Sequence, residues 1–208
     1  MNSARKVLFR ILYIIVPLSL GILFSFYMNQ GQGRLEGVAA TVLPDARALP
    51  DFLLEDHRGR AFTNENLKGQ WSFVFFGYTN CPDVCPTTLE LLNQVDQILK
   101  KEKGIDLPKT IFISVDPERD TVSQLAEYVP YFNPEFTGVR GSLENLQVLT
   151  KSLGIAFGKD SDTESKEYEV FHSSRIMLID PEARLKALFA SPHDVNQIAS
   201  DYIKIIAS

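Results

Sequence analysis

The chain holds two cysteines, and they stand together in Cys81-Pro82-Asp83-Val84-Cys85-Pro86. Thiolates ligate soft metal ions and attack disulfides, so a close pair points to a metal centre or a redox pair. The run WSFVFFGY at 71–78 reads as a buried strand leading into the pair. After it, Leu89, Leu92, Val95 and Leu99 recur at helical spacing. The cysteines are therefore expected where a strand ends and a helix begins, the place where open α/β sheets carry their sites. The free N–H groups and partial positive charge of that helix start are expected to favour thiolate over thiol. Pro86 suits the first helical turn, where its missing N–H costs nothing.

The C-x-x-x-C spacing is one residue longer than the C-x-x-C of dithiol oxidoreductases. Positions four apart share a helix face, with Cβ atoms about 5–6 Å apart, so both sulfurs can point at one ion. A disulfide needs Cβ atoms about 3.5–4.5 Å apart and hence some adjustment of the loop. Soft thiolates select Cu(I), and an added imidazole suits copper generally. The plain alternatives are two buried apolar thiols or a surface disulfide with no further role. Of three histidines, His172 lies just before an apolar run, RIMLID at 175–180, where it is either an ordinary core or loop residue or a candidate third ligand. His57, in a polar turn, and His193, beside a helix start, read as solvated loop residues.

The elements that must position these side chains can be read in chain order. Two short apolar runs flank Asp56-His57-Arg58-Gly59 as a hairpin. A second buried strand, TIFISV at 110–115, ends at Asp116-Pro117. Thr121 with Gln124 forms a capping box for a helix, Ser142 starts another that ends at Gly154, and Asp194 caps a last one to about Ile206. RIMLID and RLKALFA (184–190) form a hairpin around Pro181-Glu182. Strands alternating with helices imply parallel pairing, and the hairpins add antiparallel strands. The order predicts an α/β, thioredoxin-like fold over 51–208 with an added β-hairpin and helices on both faces. Between Pro134 and Pro181 there is no proline, so the cis-proline that thioredoxin-type oxidoreductases place opposite their cysteines is missing. The Asp116-Pro117-Glu118-Arg119-Asp120 run reads as a strand-ending turn with solvated charges.

Ahead of that domain, residues 11–28, ILYIIVPLSLGILFSFYM, carry no charge. At about 1.5 Å per residue they nearly cross a hydrocarbon core of about 30 Å. A basic head over 1–10 (Arg5, Lys6, Arg10) places the N-terminus in the cytoplasm and the folded domain on the extracytoplasmic side. The expected arrangement is one transmembrane anchor in a bacterial inner membrane, a linker over 29–50, and a periplasmic domain. A cleaved signal peptide ending near Val38-Ala39-Ala40 is the competing reading. Of 208 residues, 45% are hydrophobic, enough for a core without staples. Without the basic head, 18 basic residues face 26 acidic ones, which argues against nucleic acid as a partner.

Through WSFVFFGYTNCPDVCPTTL (71–89), SVDPERDT (114–121) and His172 before an apolar strand and Asp180-Pro181, the chain resembles the Sco/SenC family. The resemblance implies one copper ion, Cu(I) or Cu(II), held by Cys81, Cys85 and His172. It implies a chaperone rather than an enzyme, helping to assemble the binuclear copper centre of cytochrome c oxidase subunit II after an upstream donor supplies the metal. The alternative is a thiol–disulfide reductase in which Cys81 and Cys85 form a redox disulfide and keep the oxidase cysteines reduced. Peroxiredoxin-type chemistry is disfavoured, because Pro-x-x-x-Thr-x-x-Cys does not precede Cys81. Asp83 is either an outer-shell group of the metal or the acid of a helix start. Many family members carry Asp directly before the histidine, where this chain has Phe171.

Overall fold

In the computed structural model, residues 16–17, 19–21, 37–159 and 168–208 are described. Most of the expected anchor (11–28) lies outside them. Among the described residues no helix is long and apolar enough to cross a membrane. The chain divides into residues 1–34 and 35–208, and both cysteines and all three histidines belong to the second unit.

Ten strands and four helices are described in this unit. They are β1 (Thr41–Ala48), β2 (Leu54–Asp56), β3 (Ala61–Phe62), β4 (Ser72–Gly77), α1 (Val84–Leu99), β5 (Lys109–Ser114), α2 (Val122–Phe132), β6 (Thr137–Arg140), α3 (Leu143–Leu153), β7 (Phe157–Lys159), β8 (Val170–His172), β9 (Ile176–Ile179), β10 (Arg184–Phe189) and α4 (Val195–Ile206). Eight strands form one sheet in the order β1-β10-β9-β4-β5-β6-β2-β3, and β7 pairs with β8 in a separate two-stranded sheet. β4, β5 and β6 run parallel, and every other pairing is antiparallel.

β4 lies between β9 and β5 and is buried along its whole length. Its side chains alternate between the two faces, as strand geometry requires. Phe73 and Phe75 meet Tyr202, Phe112 and His172 on one face. Val74 and Phe76 join Ile111, Ile113, Leu149 and Leu153 on the other. α1 packs against α4 and α2. Phe75 and Phe112 are fully buried, and each such side chain contributes about 1.5–3 kcal/mol.

The expected helix starts are all present. Thr121 and Gln124 close a reciprocal capping box, and Ser142 and Asp194 accept from the backbone N–H three residues on. Gly154 ends α3 in the left-handed conformation. Other strands go beyond what the sequence predicts. Residues 41–48, expected to be linker, form β1 on the sheet edge against β10. Pro44 and Asp45 interrupt any alternation there, and the pairing is bulged between Val42 and Arg47. The buried Asp201 carboxylate fixes the entry to β1 by accepting from the Ala39 and Ala40 N–H groups at 3.0 and 2.8 Å. β6 and the β7–β8 pair, four and three residues long, are too short to show a period.

Candidate metal centre

The site is built where β4 stops. Gly77 is its last residue, Tyr78 comes next, and a loop carries Cys81 to α1. Only Cys85 is helical. Cys81 precedes the helix, so the two cysteines do not share a helix face as expected. The curled loop, not the helical repeat, brings the sulfurs together. It is held from outside: the Asp120 carboxylate accepts from the Thr79 N–H at 3.0 Å, the Thr79 hydroxyl at 2.6 Å and the Ser114 hydroxyl at 2.5 Å. The Ser114 hydroxyl accepts in turn from the Asp116 N–H.

Cys85 is fully buried and Cys81 half-buried, and both are free thiols. β8 carries His172 to them. Its Nε2 lies 3.3 Å from Cys85 Sγ. Its Nδ1 lies 3.1 Å from the Ser173 carbonyl oxygen. A carbonyl only accepts, so Nδ1 carries the proton and Nε2 turns its lone pair toward the sulfur. The Phe75 and Tyr78 rings make T-shaped contacts with the imidazole, at centroid distances of 5.9 and 5.8 Å. One donor atom from each of Cys81, Cys85 and His172 lies within 4.8 Å of the other two. Thiolate and imidazole bonds to a closed-shell ion such as zinc are about 2.3 and 2.0–2.1 Å, so one ion in their midst can reach all three with small adjustments. The donor set itself, two sulfurs and one imidazole, suits copper.

Burial lowers the affinity of His172 for a proton and pushes the Cys85 thiol far up. Burial thus acts on Cys85 against the thiolate expected at a helix start, with desolvation the largest cause. Metal binding at this sulfur must displace a proton.

Several other expectations change. Asp83 takes the N-cap position of α1, but its exposed side chain makes no capping hydrogen bond and lies outside the three-donor cluster. Its Oδ1 accepts a long bond from the Thr87 hydroxyl. His57 is buried rather than solvated, and its Nδ1 accepts from the Gly138 N–H at 2.9 Å. Its backbone N–H donates to the Gly138 carbonyl oxygen, so it is a rivet between a turn and β6. His193 is half-buried with Nε2 against the Ser174 carbonyl oxygen. The Asp116–Asp120 turn is not a solvated run either: Asp116 and Asp120 are buried. Asp120, Arg119, Tyr78 and Tyr168 shape the site, and no periodicity or spacing singles them out.

A profile of the SCO1/SenC family matches residues 41–207. The chain belongs to this family. It is 37% identical over 188 residues to the protein SCO2 homolog, mitochondrial, of Bos taurus, covering 90% of this chain and 71% of the relative. Among solved structures it resembles Arabidopsis thaliana ScoI with copper bound, at 36% identity and a TM-score of 0.71, over 76% of this chain and 98% of the other. Bradyrhizobium japonicum ScoI with copper bound is similar at 33% identity and a TM-score of 0.66, over 76% and 99%. The thioredoxin-like α/β fold expected from the element order is thus shared with these proteins.

Proposed function

We propose that this chain is a membrane-anchored copper chaperone that carries one copper ion on Cys81, Cys85 and His172. In this reading it serves the binuclear copper centre of cytochrome c oxidase subunit II, receiving the metal from an upstream donor. The observation that carries the proposal is the Nε2 lone pair of His172 facing Cys85 Sγ at 3.3 Å, with Cys81 beside them. Membership of the SCO1/SenC family and likeness to two copper-bound ScoI structures support copper as the ion. The charge-free residues 11–28 support an inner-membrane anchor, with a cytoplasmic N-terminus and a periplasmic domain.

In this role the residues divide their work. The Cys81 and Cys85 sulfurs bind as thiolates after losing their protons, and His172 closes the set with Nε2. The half-buried Cys81 is the sulfur a partner thiol can approach first. The hydrophobic wall of Phe75, Phe112 and Tyr78 keeps water from the buried side.

A second reading uses the same sulfurs without metal. The free, half-buried Cys81 favours it, because an accessible thiol can attack a partner disulfide. Cys85 would then resolve the mixed disulfide, leaving the partner reduced and Cys81–Cys85 oxidised. Copper binding by the reduced full-length protein, compared with His172→Ala, separates the two. One tightly held copper per chain, lost or much weakened in the variant, supports the chaperone. Retention indifferent to His172, or none at all, overturns it and leaves thiol exchange.

A further inference from the structure

His172 lies on a strand that the main sheet does not hold. β8 has three residues and, among the described residues, pairs with β7 alone, and a lone two-stranded hairpin is marginal in water. Phe171, standing before the histidine, is 53% exposed and lies across Gly158, and its hydrocarbon ring has no group to hydrogen-bond the imidazole. The buried Val170 ties β8 to the core, and a further hold on His172 lies just upstream.

Tyr168, four residues upstream, is locked to the turn after β5. The Arg119 guanidinium stacks on the Tyr168 ring, 3.7 Å from its centroid. Arg119 Nη1 donates to the Tyr168 carbonyl oxygen at 2.9 Å. Arg119 Nε donates to Asp116 Oδ2 at 2.5 Å, and the Tyr168 hydroxyl donates to Asp116 Oδ1 at 2.7 Å. The three residues close a ring in which one carboxylate takes both a charged and a neutral donor. Lys159 Nζ lies 4.6 Å from the same Tyr168 ring and pairs with Glu118. Arg119 also reaches the Tyr78 ring at 5.7 Å, and the Tyr78 ring makes a T-shaped contact with the His172 imidazole. The same turn holds the cysteine loop through Asp120 and Thr79.

We infer that Asp116, Arg119 and Tyr168 are positioning residues that hold His172 within bonding reach of the two cysteines. The turn after β5 then sets both halves of the metal centre, one through Asp120 and one through this clamp. The inference rests on the copper reading for its consequence but on the metal-free geometry for its substance. None of the three belongs to the donor cluster. Outer partners of this kind are worth about 10–100-fold in metal affinity.

The test uses the reduced full-length protein, with Arg119→Gln, Arg119→Lys and Tyr168→Phe, each alone and combined with His172→Ala. Cu(I) affinity is measured by competition, and amide exchange is followed in the metal-free chain. Arg119→Gln is expected to weaken copper about tenfold or more when His172 is present and to add nothing when it is absent. Arg119→Lys, which keeps the charge but not the fork, and Tyr168→Phe are expected to lie between. The Val170 and His172 amides are expected to exchange faster in Arg119→Gln while those of β4 do not. Where the wild type holds copper, equal loss in both backgrounds, or no loss, overturns the clamp. Unchanged exchange at β8 overturns it whether or not copper binds. A wild-type chain that holds no copper but shows the exchange difference keeps the clamp and overturns the copper reading instead.

Discussion

A Cβ placed on Gly77 would stand 2.7 Å from Cys85 Sγ. The end of β4 is therefore bare because a buried sulfur lies directly over it. The same Cβ would meet Phe112 Cε2 at 2.7 Å, so neither direction offers relief. Gly77→Ala is expected to cost about 1–3 kcal/mol of stability through overpacking. It should also push Cys85 off the donor cluster. Urea unfolding and copper competition on one variant check both, and unchanged copper affinity would show that the sulfur moves aside without loss.

Asp120 is fully buried and gathers three donors. Asp120→Ala strands the Thr79 N–H and the Ser114 hydroxyl, at a cost of about 1–3 kcal/mol for each buried group left unsatisfied. Burial also raises the affinity of this carboxyl for its proton. The folded state then holds the proton more tightly than the unfolded chain does. Stability contributed by Asp120 therefore falls as pH rises from the ordinary carboxyl value of 3.8 to the higher folded value. Asp120→Asn removes this dependence, so the wild-type minus variant difference in unfolding free energy should shrink with rising pH from about 4. A difference that grows with pH would contradict the assignment.

Copper uptake should release protons. Burial holds the Cys85 thiol protonated at neutral pH, and thiolate is the binding form. Apparent Cu(I) affinity is expected to rise about tenfold per pH unit for each proton displaced. Competition titrations between about pH 6 and 8, with proton release read in parallel, measure this. A flat profile would mean that the sulfur is already ionised.

His57 and His172 should separate cleanly under substitution. His57→Ala leaves the buried Gly138 N–H without its acceptor, for a loss of about 1–3 kcal/mol. Copper stoichiometry should not change, because His57 lies outside the donor cluster. His172→Ala should do the reverse, with copper lost and the fold kept. Thermal melts beside metal analysis decide between them.

Long periodic segments are legible in the sequence and short ones are not. The buried run of β4, the apolar stripe of α1 and the capping residues Thr121, Ser142 and Asp194 announce themselves locally, since each needs only its near neighbours in sequence. β1 and β8 do not, because their pairing partners, not their residues, make them strands. The turn at Asp116–Asp120 misleads for a related reason. Its charges look like a solvated loop until Thr79, Ser114 and Tyr168, which bond to it from 6 to 52 residues away, arrive to satisfy them.

The sequence by itself determined that two thiols stand at a strand–helix junction and that a histidine precedes a later strand of an α/β fold. Those facts depend on residue type, spacing and local period. Only the tertiary structure decided that the sulfurs meet through a loop, that Cys85 is protonated by burial, and that Nε2 rather than Nδ1 of His172 faces it. Each of these depends on desolvation and on partners from distant parts of the chain, which local spacing does not encode.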